Sequence, residues 1–111
     1  MNRFSFLLFF SALSASVFSQ NKPFEFVVLP DTQTYVEDYP EIYLHQMQWL
    51  ATNKDRFSFA LHVGDITQNN SKKEWSLAKK GFDIIDDKIP YLFALGNHDM
   101  GSEAGKFADT R

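Results

Sequence analysis

Cysteine is absent from the 111 residues, so no fold of this chain depends on a disulfide and none can mispair in an oxidising compartment. A basic run is absent too. The net charge is −3, which gives no electrostatic footing for nucleic-acid binding. Internal repeats, low-complexity tracts and linkers are missing, and no apolar run is long enough to span a bilayer.

What is present divides into a leader and a folded part. "MNRFSFLLFFSALSASVFSQ" has one early cation, Arg3, then an apolar stretch from Phe4 to Phe10, then small residues. That order is the order of a secretory signal peptide, with Val17 and Ser19 set for cleavage before Gln20. Residues 1–19 are therefore expected to be removed, and residues 20–111 to be secreted or periplasmic with no stable membrane span. Gln rather than Cys at position 20 argues against a lipid anchor there. Loss of Arg3 moves the net charge from −3 to −4. Twelve Phe residues imply a core larger than a small free-standing domain usually builds.

Three apolar runs, at 24–29 ("FEFVVL"), 57–63 ("FSFALHV") and 91–95 ("YLFAL"), read as strands. Their near-continuous apolarity predicts cover on both faces. Between the first two, Tyr43, Met47, Leu50 and Ala51 share one helical face, with Pro40 near its start. Between the second and third, Trp75, Ala78, Phe82 and Ile85 do the same, and Ser71 with Glu74 makes a capping-box pair. The order is βαβαβ. It predicts an α/β fold with right-handed crossovers and a mostly parallel sheet.

Each strand runs into a polar loop: "LPDTQTY", "HVGDITQNN" and "LGNHDM". In an open α/β sheet the carboxyl ends of the strands border one crevice, so these loops should converge. Asp31, Gln33, Asp65 and Asn97 offer hard oxygen atoms suited to divalent cations, and one carboxylate can bridge two of them. Two metals about 3.5–4 Å apart can clamp the attacking and leaving oxygens of a phosphoryl group. His98 would stabilise the transition state or donate a proton to the leaving oxygen. Asp99 would orient that imidazole and raise its basicity. Plainer roles stay open for each: a local turn at 97–99, helix caps at Asp31 and Asp65, and a turn amide at Gln33. His45 reads as an exposed helix residue and His62 as a buried, hydrogen-bonded residue at a strand end.

Asp-x-Gln after the first strand, "GD" after the second and "GNHD" after the third resemble the first three motifs of the calcineurin-like metallophosphoesterases, over residues 24–101. The resemblance implies that Asp31 and position 33 bind one metal, Asp65 bridges both, Asn97 binds the second, and His98 meets the leaving group. It implies two metal ions (Mn, Fe or Zn), a small phosphate-ester substrate and hydrolysis by a metal-bound hydroxide. Position 33 is usually His in that family, and here it is Gln33. The family's later imidazole motifs are absent before Arg111. The expectation is thus the first half of a metallophosphoesterase-type α/β sandwich, inactive alone. Purple acid phosphatases have Tyr where this chain has Gln68, and the Ser/Thr phosphatases do not continue with "ITQNN". The rival expectation is a non-catalytic remnant or binding module that keeps half of the fold. A nuclease of the same fold would need a basic surface that this segment lacks.

Overall fold

The computed structural model describes residues 23–101. The expected signal peptide and its cleavage point lie outside the described residues. Within them the chain is a mixed α/β unit: β1 (Phe26–Leu29), α1 (Gln33–Asp38), α2 (Pro40–Thr52), β2 (Phe59–His62), α3 (Lys72–Ile85) and β3 (Tyr91–Phe93). A one-turn 3-10 helix follows at Asn97–Asp99. The three strands are parallel in the order β1-β2-β3. Val27 lies beside Ala60 and Leu29 beside His62, while Ala60 lies beside Tyr91 and His62 beside Phe93.

The helices form where the apolar spacing asks for them. In α2 the buried residues are Tyr43, Met47, Leu50 and Ala51. This helix also holds Ile42, Trp49 and Thr52, each up to about 0.7 kcal/mol worse than Ala in a helix. Burial of side chains the size of Met47 or Leu50, about 1.5–3 kcal/mol apiece, outweighs that. Pro40 opens α2 at a position where its missing N–H costs nothing. It also pushes the preceding Tyr39 out of helical geometry, to φ −131° and ψ 56°. The chain therefore breaks between α1 and α2. The short helix α1 is a feature the apolar spacing did not announce.

In α3, Ser71 and Glu74 form the expected capping box, and Ala78, Phe82 and Ile85 are buried. Gly81 lies inside this helix because a Cβ there would stand 2.3 Å from the Tyr43 ring. The ring fills that space, and its hydroxyl donates to the Ala78 carbonyl at 3.0 Å. Helices α2 and α3 are thus locked face to face.

One expectation is corrected. The strands are not covered on both faces among the described residues. Leu29 and Ala60 face the helices and join the core with Met47, Leu50, Ala78 and Ile85. The alternate residues point away: Phe26, Val28 and Leu92 are 53%, 48% and 61% exposed. The strand order explains this. It advances in one direction, so two crossovers of the same hand set their helices on the same side. Apolarity of a run cannot tell one covered face from two.

Candidate functional site

The loops after β1, β2 and β3 leave the sheet at one end and are tied to one another. The backbone N–H of Gln33 donates to the carbonyl of Asp65 at 3.0 Å, joining the first loop to the second. The backbone N–H of His98 donates to Asp65 Oδ1 at 2.9 Å, joining the second to the third. Gln33, Asp65 and the 97–99 turn therefore meet. Asp31 is exposed at the same end, two residues before Gln33, and Asn97 is half-buried at the start of its turn.

Close packing between the second and third loops requires two glycines. Gly64 has φ +111°, and a Cβ on it would stand 2.7 Å from the Gly96 nitrogen. On Gly96, a Cβ would collide with Asp65 Oδ1 at 2.0 Å. The Asp65 carboxylate lies where any side chain at 96 would have to be. Asp65 itself has φ +49°, a left-handed conformation that costs energy in a non-glycine residue. Strain of this kind persists only where the surroundings hold it, here through the Gln33 and His98 amides.

Asp99 does not have the role expected of it. Its carboxylate is turned away from the imidazole and into the protein, where Asp99 is 5% exposed. It accepts from the N–H of Ile66 at 3.0 Å, the N–H of Thr67 at 2.7 Å and the Thr67 hydroxyl at 2.9 Å. The N–H of Gly96 adds a fourth bond at 3.0 Å. Four donors meet one carboxylate because the 3-10 turn leaves Asp99 pointing back across the second loop. The partner of His98 is instead the Gln68 carbonyl, 2.9 Å from Nδ1. A carbonyl only accepts, so Nδ1 carries the hydrogen and Nε2 is left as the other ring nitrogen. The sequence "GNHD" puts Asp99 beside His98, but adjacency along a tight turn sends the two side chains apart.

Behind the loops lies a polar group that the motifs do not include. His62, at the end of β2, is 1% exposed. Burial lowers its pKa from the ordinary value, with the charges of Asp99 and Asp31 opposing in part. Its Nε2 is 2.9 Å from Thr32 Oγ1, and its Nδ1 receives the Gly64 N–H at 3.2 Å. Strand alternation was the available signal. His62 has the same parity as the buried Ala60, and a core imidazole demands partners.

The donor set can be tested against a cation. Among the described residues no three His, Asp or Glu side chains are gathered as a metal site would gather them. The candidates are two carboxylates and two amides. One observation does fit a cation. The side-chain oxygen Oε1 of Gln33 is buried and has no hydrogen-bond partner among the described residues. A buried acceptor left unsatisfied is costly, and a metal ion would satisfy it.

No protein-family model matches the chain, and no solved structure matches it. A curated protein of Bacillus subtilis (strain 168), "Uncharacterized protein YvnB", is 33% identical over 88 residues, 76% of this chain and 7% of that protein. The chain thus spans less than a tenth of the length of the relative it matches.

Proposed function

We propose that the strand-end loops are part of a metal-dependent phosphoric-ester hydrolase, and that Asp31, Gln33, Asp65 and Asn97 hold its metal ions. The observation that carries this reading is the buried Oε1 of Gln33, which has no partner among the described residues, on a residue whose amide is bonded to Asp65. The motif resemblance supplies the reaction class. The bare apolar sheet face at Phe26, Val28 and Leu92 supports the matching fold, the first half of a two-sheet sandwich.

When bound, Mn, Fe or Zn ions would polarise the phosphoryl group and acidify a water. The residues of this chain do the rest. Asp65 Oδ1 is held by the His98 amide, so the carboxylate plane is oriented and Oδ2 is left for a ligand. His98 is anchored through Nδ1 to Gln68. With Nδ1–H held there, Nε2 carries a second proton only in the cationic ring, and that form would deliver it to the oxygen of the departing alcohol. Asp99 secures the turn that carries Asn97 and His98. The substrate is a small phosphate mono- or diester.

The second reading is a non-catalytic binding module. The shortage of carboxylates and imidazoles among the described residues favours it. Metal analysis by equilibrium dialysis, with hydrolysis of a chromogenic phosphate ester by the longer enzyme of which these loops would form the first half, separates the two. Metal-dependent turnover that disappears in Asp65→Ala supports the hydrolase. Metal or phosphate binding without turnover supports the module. Failure to retain Mn, Fe or Zn at any tested concentration rejects the metal site.

A further inference from the structure

The buried imidazole of His62 takes part in a hydrogen-bond chain whose direction can be worked out atom by atom. The Gly64 N–H points at Nδ1 at 3.2 Å. An N–H cannot face a protonated nitrogen, so Nδ1 is the bare nitrogen and the ring hydrogen is on Nε2. Nε2 then donates to Thr32 Oγ1 at 2.9 Å. The single hydroxyl hydrogen of Thr32 passes on to the Ile66 carbonyl at 3.3 Å. Every donor has one acceptor, and the series runs Gly64 to His62 to Thr32 to Ile66.

The placement of its members matters more than its length. Gly64 and Ile66 are the two neighbours of Asp65. Thr32 stands between Asp31 and Gln33. The chain thus begins and ends on either side of one candidate metal ligand and passes between two others. Thr32 is also the residue before α1, where a threonine hydroxyl ordinarily caps the helix. Here it makes no such cap, because the hydroxyl is engaged with His62 and Ile66. Both Thr32 and His62 are almost fully buried, 2% and 1% exposed, so water does not compete for these bonds.

We infer that His62 and Thr32 are positioning residues, a staple behind the site that sets the Asp31–Gln33 loop against the Asp65 loop. Neither residue touches the substrate or a metal. The inference rests on the metal-site reading for its functional consequence, and on the hydrogen-bond geometry for the staple itself.

Two measurements on the chain test it. The first is a long-range proton–nitrogen NMR spectrum of the histidine rings at neutral pH, with amide exchange at Gly64. The His62 ring should carry its hydrogen on Nε2, and the Gly64 amide should be protected. A ring with hydrogen on Nδ1, or a Gly64 amide that exchanges like an open loop, overturns the staple. The second is Mn2+ affinity by calorimetry for Thr32→Val, which keeps shape and loses the hydroxyl, and for Thr32→Ser, which keeps the hydroxyl. Thr32→Val should bind Mn2+ at least tenfold more weakly, with amide shifts at residues 31–33 and 64–66, and Thr32→Ser should recover most of the loss. An affinity for Thr32→Val within twofold of the wild type overturns the positioning role. If the wild-type chain binds none of Mn2+, Fe2+ and Zn2+, the metal-site reading fails, and the ring tautomer and Gly64 exchange still decide the staple. Should Thr32→Val fail to fold, His62→Asn replaces it. Its Oδ1 can accept from Gly64 but cannot reach Thr32, and the same tenfold loss is expected.

Discussion

Asp99 holds Thr67 twice, by the backbone N–H at 2.7 Å and by the hydroxyl at 2.9 Å, across 32 residues of sequence. With Ile66 and Gly96 added, one buried carboxylate ties the loop after β2 to the loop after β3. In Asp99→Asn the side chain keeps one acceptor oxygen and gains two donors that face N–H groups. Each lost bond to a charged acceptor is worth about 1.5–3 kcal/mol. The expected outcome is a loss of about 3 kcal/mol or more in urea unfolding. A loss below about 0.5 kcal/mol, the scale of an ordinary surface change, would contradict the clamp.

His98→Ala should behave in the opposite way. Its imidazole is half-buried and bonded through Nδ1 to Gln68 alone. Removal should cost about 1 kcal/mol of stability. In the longer enzyme of which these loops would form the first half, turnover of a chromogenic phosphate ester should drop about 10²–10⁴-fold, the usual share of a proton donor, with metal content unchanged. Parallel loss of metal and turnover would assign His98 to metal binding instead of the leaving group.

Gly96→Ala puts a methyl group 2.0 Å from Asp65 Oδ1 and 2.4 Å from the Asp65 nitrogen. Neither neighbour can yield without breaking the bond from the His98 amide. A destabilisation of about 1–3 kcal/mol is expected, with loss of metal binding. Calorimetric melting and metal dialysis on the same sample check both. Unchanged metal binding would mean that the Asp65 carboxylate is not where the ligand sits.

The pH dependence of stability should carry the mark of Glu74. Burial opposes its charge, but bonds from the Ser71 side chain and from the backbone of Ser71, Asn69 and Gln68 hold its carboxyl below the ordinary 4.5. A lowered pKa means that the unfolded chain takes up the proton first as pH falls. The stabilisation is therefore complete above about pH 4.5 and disappears as the pH drops through the lower folded value. Glu74→Gln should flatten that acid limb in melting curves from pH 6 to pH 3. An acid limb as steep as in the wild type would remove Glu74 from the explanation. Ser71→Ala, which removes the cap, should cost about 0.5–2 kcal/mol at neutral pH.

Much of the scaffold was legible because it rests on local rules. Apolar spacing placed Tyr43, Met47 and Leu50 on one face of α2, and Ser71 with Glu74 marked the start of α3. The strand ends at Asp31, Asp65 and Asn97 followed from the alternation of elements. What escaped depended on side-chain direction across the fold. Asp99 reads as the partner of His98 by adjacency, and only the geometry of the 3-10 turn sends it to Ile66 and Thr67. Thr32 drew no role from the sequence, because only the fold brings the His62 ring of a neighbouring strand to its hydroxyl. The uncovered face at Phe26 and Leu92 escaped as well, because a strand buried on one side and one buried on two can share a composition.

The ties that assemble the loops join residues far apart in the chain. Thr32 meets His62 across 30 residues, and Asp99 meets Ile66 and Asp65 meets His98 across 33. Each spans one whole crossover, Thr32–His62 the first and the other two the second, and cannot form while that crossover is still open. The loop cluster should therefore be a late event in folding, reached after the sheet and its helices have closed both chain segments. Once formed, no loop of it can open alone, since each tie holds one loop to a segment that a different crossover delivers. The amides of Ile66 and Thr67, though they belong to a loop, should exchange with solvent only when the whole unit unfolds.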